Sequence, residues 1–433
     1  MLASLMGAFK IPDLKKRLMF LFGMFAVYVV GLHISVPGVD TEILQRRLAT
    51  GGGDLFTLFD AFTGGAFKKY TIFAMGIMPY INASIIMQLL TIAIPQLEQM
   101  QKEGAAGQKR IRLYTRWLTG VLAFFQAYGV TTWLKSPAIG AIQSSGGLLD
   151  WTVLQIAIVL VAGTSFLMWL GEQISDKGIG NGVSIVIFAG IVAYLPSQLA
   201  ATYEVELVTN RNWVGVALLF VLFLATVAFI VAITQAQRKI PIQHVKRIVG
   251  NKMVGGQSSF LPLKINSAGV IPIIFAVSIQ YFPMTVANIF THGNRDHWFT
   301  KFAADFAPGN SWWGSLIYAG MIIFFTYFYT AVTFNVKEVS DNLKKWGSFI
   351  PGIRPGKPTQ DYLDKIMTRI TLAGAIFLAV IALLQYYVPM LTNITTFSLI
   401  GGTSLLIVVG VALETMQAIE THLLMRHYEG FIK

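Results

Sequence analysis

The residues from Ile370 to Leu413 form a run of 44 residues that contains no Asp, Glu, Lys or Arg. As a single helix rising about 1.5 Å per residue, the run would be about 66 Å long, about twice the thickness of a bilayer's hydrocarbon core. We therefore predict two membrane-spanning helices joined by a turn, which Pro389 and Asn393 mark. A chain that contains such a run is constrained to fold in a membrane.

Eight further charge-free apolar runs are long enough to cross a membrane. They are Leu18–Val36, Tyr70–Ile94, Trp117–Trp133, Trp151–Leu170, Ile179–Leu195, Trp213–Thr234, Ala268–Ile289 and Trp312–Phe334. Hydrophobic residues make up 55% of the 433 residues and charged residues only 12%, about half the charged fraction of a soluble domain. The sequence therefore predicts an all-α polytopic membrane protein with ten transmembrane helices.

The distribution of basic residues predicts the orientation of the chain. If the N-terminus is cytoplasmic, segments on that side carry 25 of the 33 Lys and Arg residues, and segments on the other side carry eight. Because short cytoplasmic loops of membrane proteins are enriched in Lys and Arg, this asymmetry predicts that both termini lie in the cytoplasm.

Two of the predicted cytoplasmic loops, residues 235–266 and 335–369, are long and basic. The first contains no acidic residue, so it either follows the topology rule alone or attracts an anionic partner. In the second, the stretch Pro351–Gly356 contains two prolines and two glycines, which predicts a stiff, shaped tip around Arg354. A shaped basic tip suggests a docking surface.

The predicted external segment between the first two spans contains an unusual apolar stretch, Leu55–Phe67. It is too short to cross a membrane and too hydrophobic to be stable in water. Two interpretations remain open. The stretch is either a re-entrant piece buried in the protein beside a cavity, or an amphipathic helix on the membrane surface.

The sequence lacks the groups that most chemical functions need. It contains no Cys, the centres of the predicted spans contain no charged residue, and no zinc-protease, nucleophile-elbow or phosphate-loop motif is present. We therefore predict that the chain is not an enzyme and has no metal site or cofactor. A secondary transporter for a small polar substrate remains the alternative, although it would need charged coupling groups in the membrane.

Three glycines, Gly178, Gly180 and Gly182, superficially match part of a nucleotide-binding fingerprint. They open a predicted transmembrane span, however, and do not lie between a strand and a helix. Close packing of helices or a flexible start of the span is the simpler explanation.

Five segments, in this order along the chain, resemble the SecY family in its bacterial form. They are Phe73–Leu90 (FAMGIMPYINASIIMQLL), GIGNGVSIVIFAGIVA from Gly178, LPLKINSAGVIPIIFA from Leu261, FIPGIRPG from Phe349 and GGTSLLIVVGVALE from Gly401. The resemblance implies a channel that passes unfolded secretory proteins across the membrane and releases transmembrane segments laterally into lipid. It also implies two pseudo-symmetric inverted halves around a central pore, residues 1–200 with spans 1–5 and residues 201–433 with spans 6–10.

The resemblance further implies the roles of individual residues. A pore ring of branched apolar side chains would be formed by Ile81, Ile85, Ile187, Ile274 and Ile407. A short re-entrant plug helix in residues 55–67 would be formed by Leu55, Phe56, Leu58, Phe59, Phe62, Gly64, Gly65 and Phe67, with the two glycines as its hinge. Spans 2 and 3 on one half and spans 7 and 8 on the other would form a lateral gate.

The family's partners are implied in the same way. Expected partners are the small membrane subunits SecE and SecG, the motor ATPase SecA, the ribosome, signal sequences, unfolded preproteins and the lipid bilayer. The residues expected to bind the motor and the ribosome are Arg238, Lys239, Lys246, Arg247, Lys344, Lys345 and Arg354. The expected location is the bacterial inner membrane, with both termini cytoplasmic.

Overall fold

The computed structural model of the chain describes residues 11–51, 60, 63–135, 139–142, 150–244, 247–249, 252–254, 258–290, 297–394 and 402–429. The helices in this part of the chain are α1 (Pro12–Gly31), α2 (Thr41–Gly51), α3 (Met78–Ala93), α4 (Pro95–Lys102), α5 (Ala105–Lys135), α6 (Trp151–Lys177), α7 (Gly182–Thr202), α8 (Trp213–Gln235), α9 (Ile271–Phe290), α10 (Trp298–Phe306), α11 (Trp312–Thr333), α12 (Val336–Lys345), α13 (Lys357–Thr392) and α14 (Thr403–Glu429). A π-helical segment, Tyr203–Thr209, follows α7 directly. The strands are β1 (Gln237–His244), β2 (Arg247–Val249), β3 (Lys252–Val254), β4 (Ser258–Lys264) and β5 (Ser348–Phe349).

Ten of these helices overlap the ten predicted spans, namely α1, α3, α5, α6, α7, α8, α9, α11, α13 and α14. By length and composition, six helices in the described part of the chain are long and apolar enough to cross a membrane: α6, α7, α8, α11, α13 and α14. Helices α3 and α4 meet at a bend of 101° and would add a seventh span if they are counted together. Helices α1 and α3 are not among the six. Helix α1 carries Lys15, Lys16 and Arg17 near its start, and α3 has only 16 residues.

The long charge-free run turns at Asn393. Helix α13 continues through Pro389 and ends at Thr392, after which Asn393 adopts a left-handed conformation with φ 54° and ψ 29°. Asparagine tolerates this conformation better than most residues, and it commonly ends helices in this position. The predicted turn therefore lies at Asn393, while Pro389 is accommodated within the helix.

The second span begins later than the hydrophobic pattern predicts. Residues 64–77 form turns, interrupted by an isolated bridge between Thr71 and Ser35, and helix α3 starts only at Met78, with Pro79 in its first turn. The irregular stretch is held by stacked aromatic rings, because Phe73 lies between Tyr28 of α1, at 5.8 Å, and Phe166 of α6, at 6.0 Å. A hydrophobic pattern cannot distinguish this buried irregular chain from the first turns of a helix.

The two long loops, which are predicted to be cytoplasmic, form one structure. Strand β1 pairs with β4 and β5, in the antiparallel order β4-β1-β5, and β2 pairs with β3. Ile240 and Ile242 of β1 share a hydrophobic cluster with Leu343 of α12, Ile350 beside β5 and Leu363 of α13. The helical protein therefore carries a small antiparallel sheet that joins residues 235–266 to residues 335–369.

Close packing of helices explains the glycine-rich start of α7, as one of the two sequence interpretations predicts. A Cβ atom on Gly182 would lie 1.8 Å from the carbonyl oxygen of Gly171 in α6, a distance that no side chain can tolerate. The backbone amide of Gly182 also donates a hydrogen bond of 2.9 Å to Ser175 Oγ. Helices α6 and α7 can therefore approach this closely only with glycine at this position.

We predict that Gly182→Ala destabilises the protein by about 1 to 3 kcal/mol, because the new methyl group must push α7 away from α6. The matched control is Gly120→Ala in α5, where a Cβ would meet no atom within 4 Å. That control should be neutral or slightly stabilising, since alanine favours a helix by about 0.5 to 1 kcal/mol over glycine. Thermal unfolding of the purified variants in detergent measures both effects, and equal unfolding temperatures would contradict the packing argument.

Candidate functional site

A small apolar cavity lies where α3, α7, α9 and α14 meet. The volume open to the centre of a water molecule is about 20 Å³. A cavity needs about 10 to 15 Å³, measured in this way, to hold one water molecule. Among the described residues that line it, none is charged, and the two with polar side chains are threonines. Its lining residues are Thr63, Ile77, Met78, Ile81, Ile187, Val270, Ile273, Ile274, Val277, Thr403 and Ile407.

Four of the five isoleucines expected to form a ring line this cavity: Ile81, Ile187, Ile274 and Ile407, each from a different helix. Ile187 and Ile407 are nearly inaccessible, with 8% and 2% of their surface exposed. Ile85 lies one turn further along α3 and packs against a neighbouring hydrophobic cluster. A collar of branched apolar side chains excludes water and therefore opposes the passage of ions.

The cavity offers no group for coupled transport or for metal chemistry. A transporter that couples substrate movement to ions or protons needs charged side chains near its binding site, and none of the described residues that line this cavity is charged. Among the described residues, no group of three or more His, Cys, Asp or Glu side chains could hold a metal ion. The described lining is therefore apolar, which favours the exclusion of water.

Part of the re-entrant segment is visible beside this cavity, whereas Leu55, Phe56, Leu58, Phe59 and Phe62 lie outside the described residues. Gly64 and Gly65 have φ of +72° and +83°, a left-handed conformation that favours glycine. A Cβ on Gly64 would lie 2.7 Å from the carbonyl oxygen of Gly190 in α7. Phe67 is buried and packs edge-to-face on Tyr70 at 6.2 Å. The described end of the segment therefore lies inside the protein and not on a membrane surface.

The sequence reasoning missed a buried carboxylate in this segment. Asp60 is completely inaccessible, and its Oδ1 accepts a hydrogen bond of 2.9 Å from the backbone amide of Lys68. Its Oδ2 lies 3.6 Å from Lys68 Nζ. Burial raises the pKa of the Asp60 carboxyl, and the amide and ammonium groups of Lys68 oppose this rise. An acidic residue inside an otherwise apolar stretch, with a lysine eight positions later, was the signal that could have revealed the pair.

The basic residues expected to bind partners lie on the joined loops. Arg238 and Lys239 are exposed on β1, Lys344 and Lys345 are exposed at the end of α12, and Arg354 is exposed at the tip. Arg247 lies in β2, and Lys246 lies outside the described residues.

Hydrogen bonds from neighbouring side chains shape the tip that presents Arg354. Its carbonyl oxygen accepts a hydrogen bond of 2.8 Å from Thr359 Oγ1, and the carbonyl of Gly356 accepts one of 3.0 Å from Ser340 Oγ. The stiff tip predicted from its prolines and glycines is thus also held by side chains of α12 and α13.

A histidine that the sequence reasoning did not single out connects the two loops. His244 Nδ1 lies 2.7 Å from Ser348 Oγ, across the pairing of β1 with β5. Its Nε2 lies 3.4 Å from Ser259 Oγ of β4. Ser348 is buried, with 2% of its surface exposed, whereas His244 is exposed, so this contact is partly buried. The imidazole therefore joins all three strands of the sheet.

We predict that Ser348→Ala weakens the junction between the loops by about 1 kcal/mol, because it leaves a histidine nitrogen without its partner. Amide hydrogen exchange in β1 and β5 should become about fivefold faster, which corresponds to that free energy. Ser259→Ala is the matched control, since it removes only the longer and more exposed contact, and it should change exchange much less. Identical exchange in the two variants would show that the Ser348 contact does not hold the loops together.

Comparisons with known proteins agree with this architecture. Residues 71–416 match the SecY family. The chain is 44% identical over 440 residues to the protein translocase subunit SecY of Streptomyces galbus, and the match covers 100% of both chains. Its fold is similar to that of a SecY protein whose plug domain stabilises the closed state of the translocation channel and maintains a membrane seal (TM-score 0.62, 18% identity, 94% of this chain and 92% of that chain). It is also similar to Sec61 in the canine ribosome-channel complex from the endoplasmic reticulum (TM-score 0.61, 17% identity, 94% and 92%).

Proposed function

Because the chain belongs to the SecY family and is the protein-conducting channel subunit of a translocase, we propose that the cavity between α3, α7, α9 and α14 is the channel's constriction. The observation that supports this most directly is the meeting of four isoleucines from four helices around one small apolar space. Branched side chains of this kind can separate to admit an extended polypeptide and close around it, while a water-free collar keeps ions out.

The proposed path to lipid lies between the two halves of the chain, residues 1–200 and 201–433. Helix α9 contacts both α3 and α5, so these helices form a seam between the halves. The buried side chain of Gln280 in α9 donates hydrogen bonds of 2.6 Å to the carbonyl of Phe306 and 2.8 Å to that of Gly314. These bonds tie α9 to α10 and α11 of the same half, so α9 and α11 would move together when the seam opens and releases a transmembrane segment.

The segment that contains Gly64, Gly65 and Phe67 acts in this proposal as the plug. Its described end is buried against α7, and Thr63 lines the constriction together with the isoleucines. The plug would leave this position when a chain enters and return afterwards. The two left-handed glycines suit a hinge, because glycine has the widest choice of backbone conformations.

The joined loops form the proposed docking surface. Arg354 at the tip, Arg238 and Lys239 on β1, and Lys344 and Lys345 on α12 would present positive charge to acidic side chains of SecA or to ribosomal RNA phosphates. Lys246 and Arg247, in the loop of residues 235–266, complete the proposed set. The family resemblance adds SecE and SecG as membrane partners, and the likeness to Sec61 in a ribosome complex supports the ribosome as a partner.

The chain is a multi-pass membrane protein, and the excess of Lys and Arg in the segments on one side supports cytoplasmic termini and an inner-membrane location. In this proposal the channel itself performs no chemical step. The motor, the ribosome or the membrane potential supplies the work, and the chain supplies a sealed path.

A crosslinking experiment tests the constriction. We predict that a photoactivatable residue at Ile274 crosslinks to a stalled secretory chain in vesicles that contain the motor, and only when ATP and a functional signal sequence are present. The matched control is Ile279 on the same helix, which is 45% exposed and does not line the cavity. A probe at Ile279 should give little crosslinking, and equal yields at both positions would place the path elsewhere.

We predict that Arg354→Glu reduces motor-driven export at least about tenfold, because reversing a charge at a docking site replaces attraction with repulsion worth more than about 1.4 kcal/mol. The control is Lys109→Glu, an exposed basic residue at the start of α5 that is predicted to lie on the same side of the membrane. Lys109→Glu should leave export nearly unchanged. Normal export by Arg354→Glu, in a variant that unfolds at the normal temperature, would exclude the tip as a docking site.

A further inference from the structure

Three polar side chains connect the end of the re-entrant segment to α7: Asp60, Lys68 and Tyr194, here called the Asp60 cluster. The Asp60 carboxylate is completely buried, whereas the side chain of Lys68 is 39% exposed. Lys68 Nζ donates a hydrogen bond of 3.1 Å to Tyr194 Oη and lies 5.8 Å from the centre of the tyrosine ring. One ammonium group therefore contacts both a buried carboxylate and a side chain of the neighbouring helix.

Asp60 accepts hydrogen bonds from three nearby residues of the same stretch of chain. The carboxylate accepts the amide of Lys68, and the backbone carbonyl of Asp60 accepts the amide of Gly65 at 2.9 Å and the hydroxyl of Thr63 at 3.3 Å. These bonds enclose the two left-handed glycines in a compact turn. A buried carboxylate that accepts such bonds stabilises the conformation that provides them.

The closed turn fits one face of α7. Ile187, Gly190 and Tyr194 follow one another at helical spacings of three and four residues, so they lie on the same side of the helix. A Cβ on Gly64 would lie 2.7 Å from the carbonyl oxygen of Gly190, and a Cβ on Gly65 would lie 2.9 Å from the ring of Tyr194, so both glycines lie close to α7. The same face thus presents a constriction residue, a site of close backbone contact and the hydroxyl that binds Lys68.

The position of the turn determines where Thr63 lies. The carbonyl of Thr63 accepts a hydrogen bond of 3.4 Å from the hydroxyl of Tyr28 in α1, and its side chain lines the cavity beside Ile81 and Ile187. Thr63 is 1% exposed. A change that releases the turn from α7 would therefore withdraw this residue from the constriction.

The two charged side chains of the Asp60 cluster differ in burial, because Asp60 is fully buried and Lys68 is partly exposed. Moving a carboxylate out of water costs several kcal/mol, and only a nearby cation with good hydrogen bonds offsets that cost. Because Lys68 keeps part of its side chain in water, it can leave more easily than Asp60 can. Loss of the Lys68 contact would leave a buried charge unpaired, which favours movement of the whole turn towards water.

We propose that the Asp60 cluster is a latch that holds the end of the plug against α7 and so keeps the constriction closed at rest. This inference rests on the proposed function of residues 63–67 as the end of a plug. Asp60 and Lys68 act in it as positioning residues, because they touch the turn and α7 and not the translocating chain.

Ion leak through the resting channel is the first measurement. In vesicles that contain the purified channel and no substrate, Lys68→Met should raise the leak about tenfold, which corresponds to about 1.4 kcal/mol in the closed-state equilibrium. Tyr194→Phe, which keeps the ring and removes only the hydroxyl, should raise it less. The matched control is Lys69→Met, the neighbouring exposed lysine, which should leave the leak unchanged.

Thiol labelling provides a readout that a loss of stability alone would not produce. The chain contains no Cys, so a single cysteine introduced as Thr63→Cys can be labelled selectively. A membrane-impermeant reagent added to the predicted external side should label it slowly in the parent chain. Labelling should become about tenfold faster when Lys68→Met is added, at a temperature well below unfolding, and should not change with Lys69→Met.

A double-mutant cycle tests whether the pair acts as one unit. If it does, the leak of Asp60→Asn with Lys68→Met should not exceed that of the more severe single variant, because either change alone breaks the contact. Unchanged leak and unchanged labelling in Lys68→Met would overturn the latch. Additive effects of the two substitutions would also overturn it.

A separate variant distinguishes this inference from the proposed constriction. Ile407→Asn places a polar group in the cavity and should itself raise the ion leak. If Ile407→Asn leaks and Lys68→Met neither leaks nor labels faster, the constriction stands and the latch is wrong. If Ile407→Asn does not leak, the constriction is in the wrong place, and labelling of the Thr63→Cys chain still decides whether the Asp60 cluster holds the turn.

Discussion

The constraint on which the rest of this structure depends is that backbone amides and carbonyls find no water in the hydrocarbon core of a bilayer. Helices satisfy these groups internally, so the ten helices that overlap the predicted spans account for most of the described residues. Residues 63–77 are not regular helix, and they are tolerated because their backbone groups bind elsewhere within the protein. The amide of Ile72 donates to the carbonyl of Ile34, and the amide of Val36 donates to the carbonyl of Tyr70, each at 3.0 Å.

In the proposed mechanism, the end of the plug in this irregular stretch, residues 63–67, gives way to another polypeptide. It is buried by side-chain contacts and a few hydrogen bonds rather than by a continuous helical ladder, so its displacement breaks fewer bonds than the unwinding of a span would. The proposed apolar constriction next to it supplies little specific attraction, because isoleucine side chains contact a threonine only through dispersion forces. Polar contacts such as those of Asp60 and Lys68 can then determine which position the segment occupies.

The sequence alone predicts the parts of the fold that depend on local composition. The ten spans follow from hydrophobic runs, and the turn at Asn393 follows from the length of the last run and from the residue itself. The sheet that joins the two loops could not be predicted, because His244 and Ser348 are 104 residues apart and neither carries a recognisable motif. The start of α3 at Met78 was missed for a different reason, since buried irregular chain and helix share the same apolar composition.

The residues of the candidate constriction could not be selected from the local sequence. Each of Ile81, Ile187, Ile274 and Ile407 would be an ordinary core or lipid-facing residue by itself, and only the family resemblance selected them before the fold brought four into one cavity. Asp60 is the opposite case, because a carboxylate in a strongly apolar stretch is costly enough to require a partner. Such a residue can be noticed in the sequence together with its partner Lys68, but the bond from Lys68 to Tyr194 of α7 is set by tertiary packing across more than 100 residues. The sequence can therefore reveal a costly buried charge and its nearby counter-ion, whereas the contact that docks the pair on α7 depends on how the helices assemble.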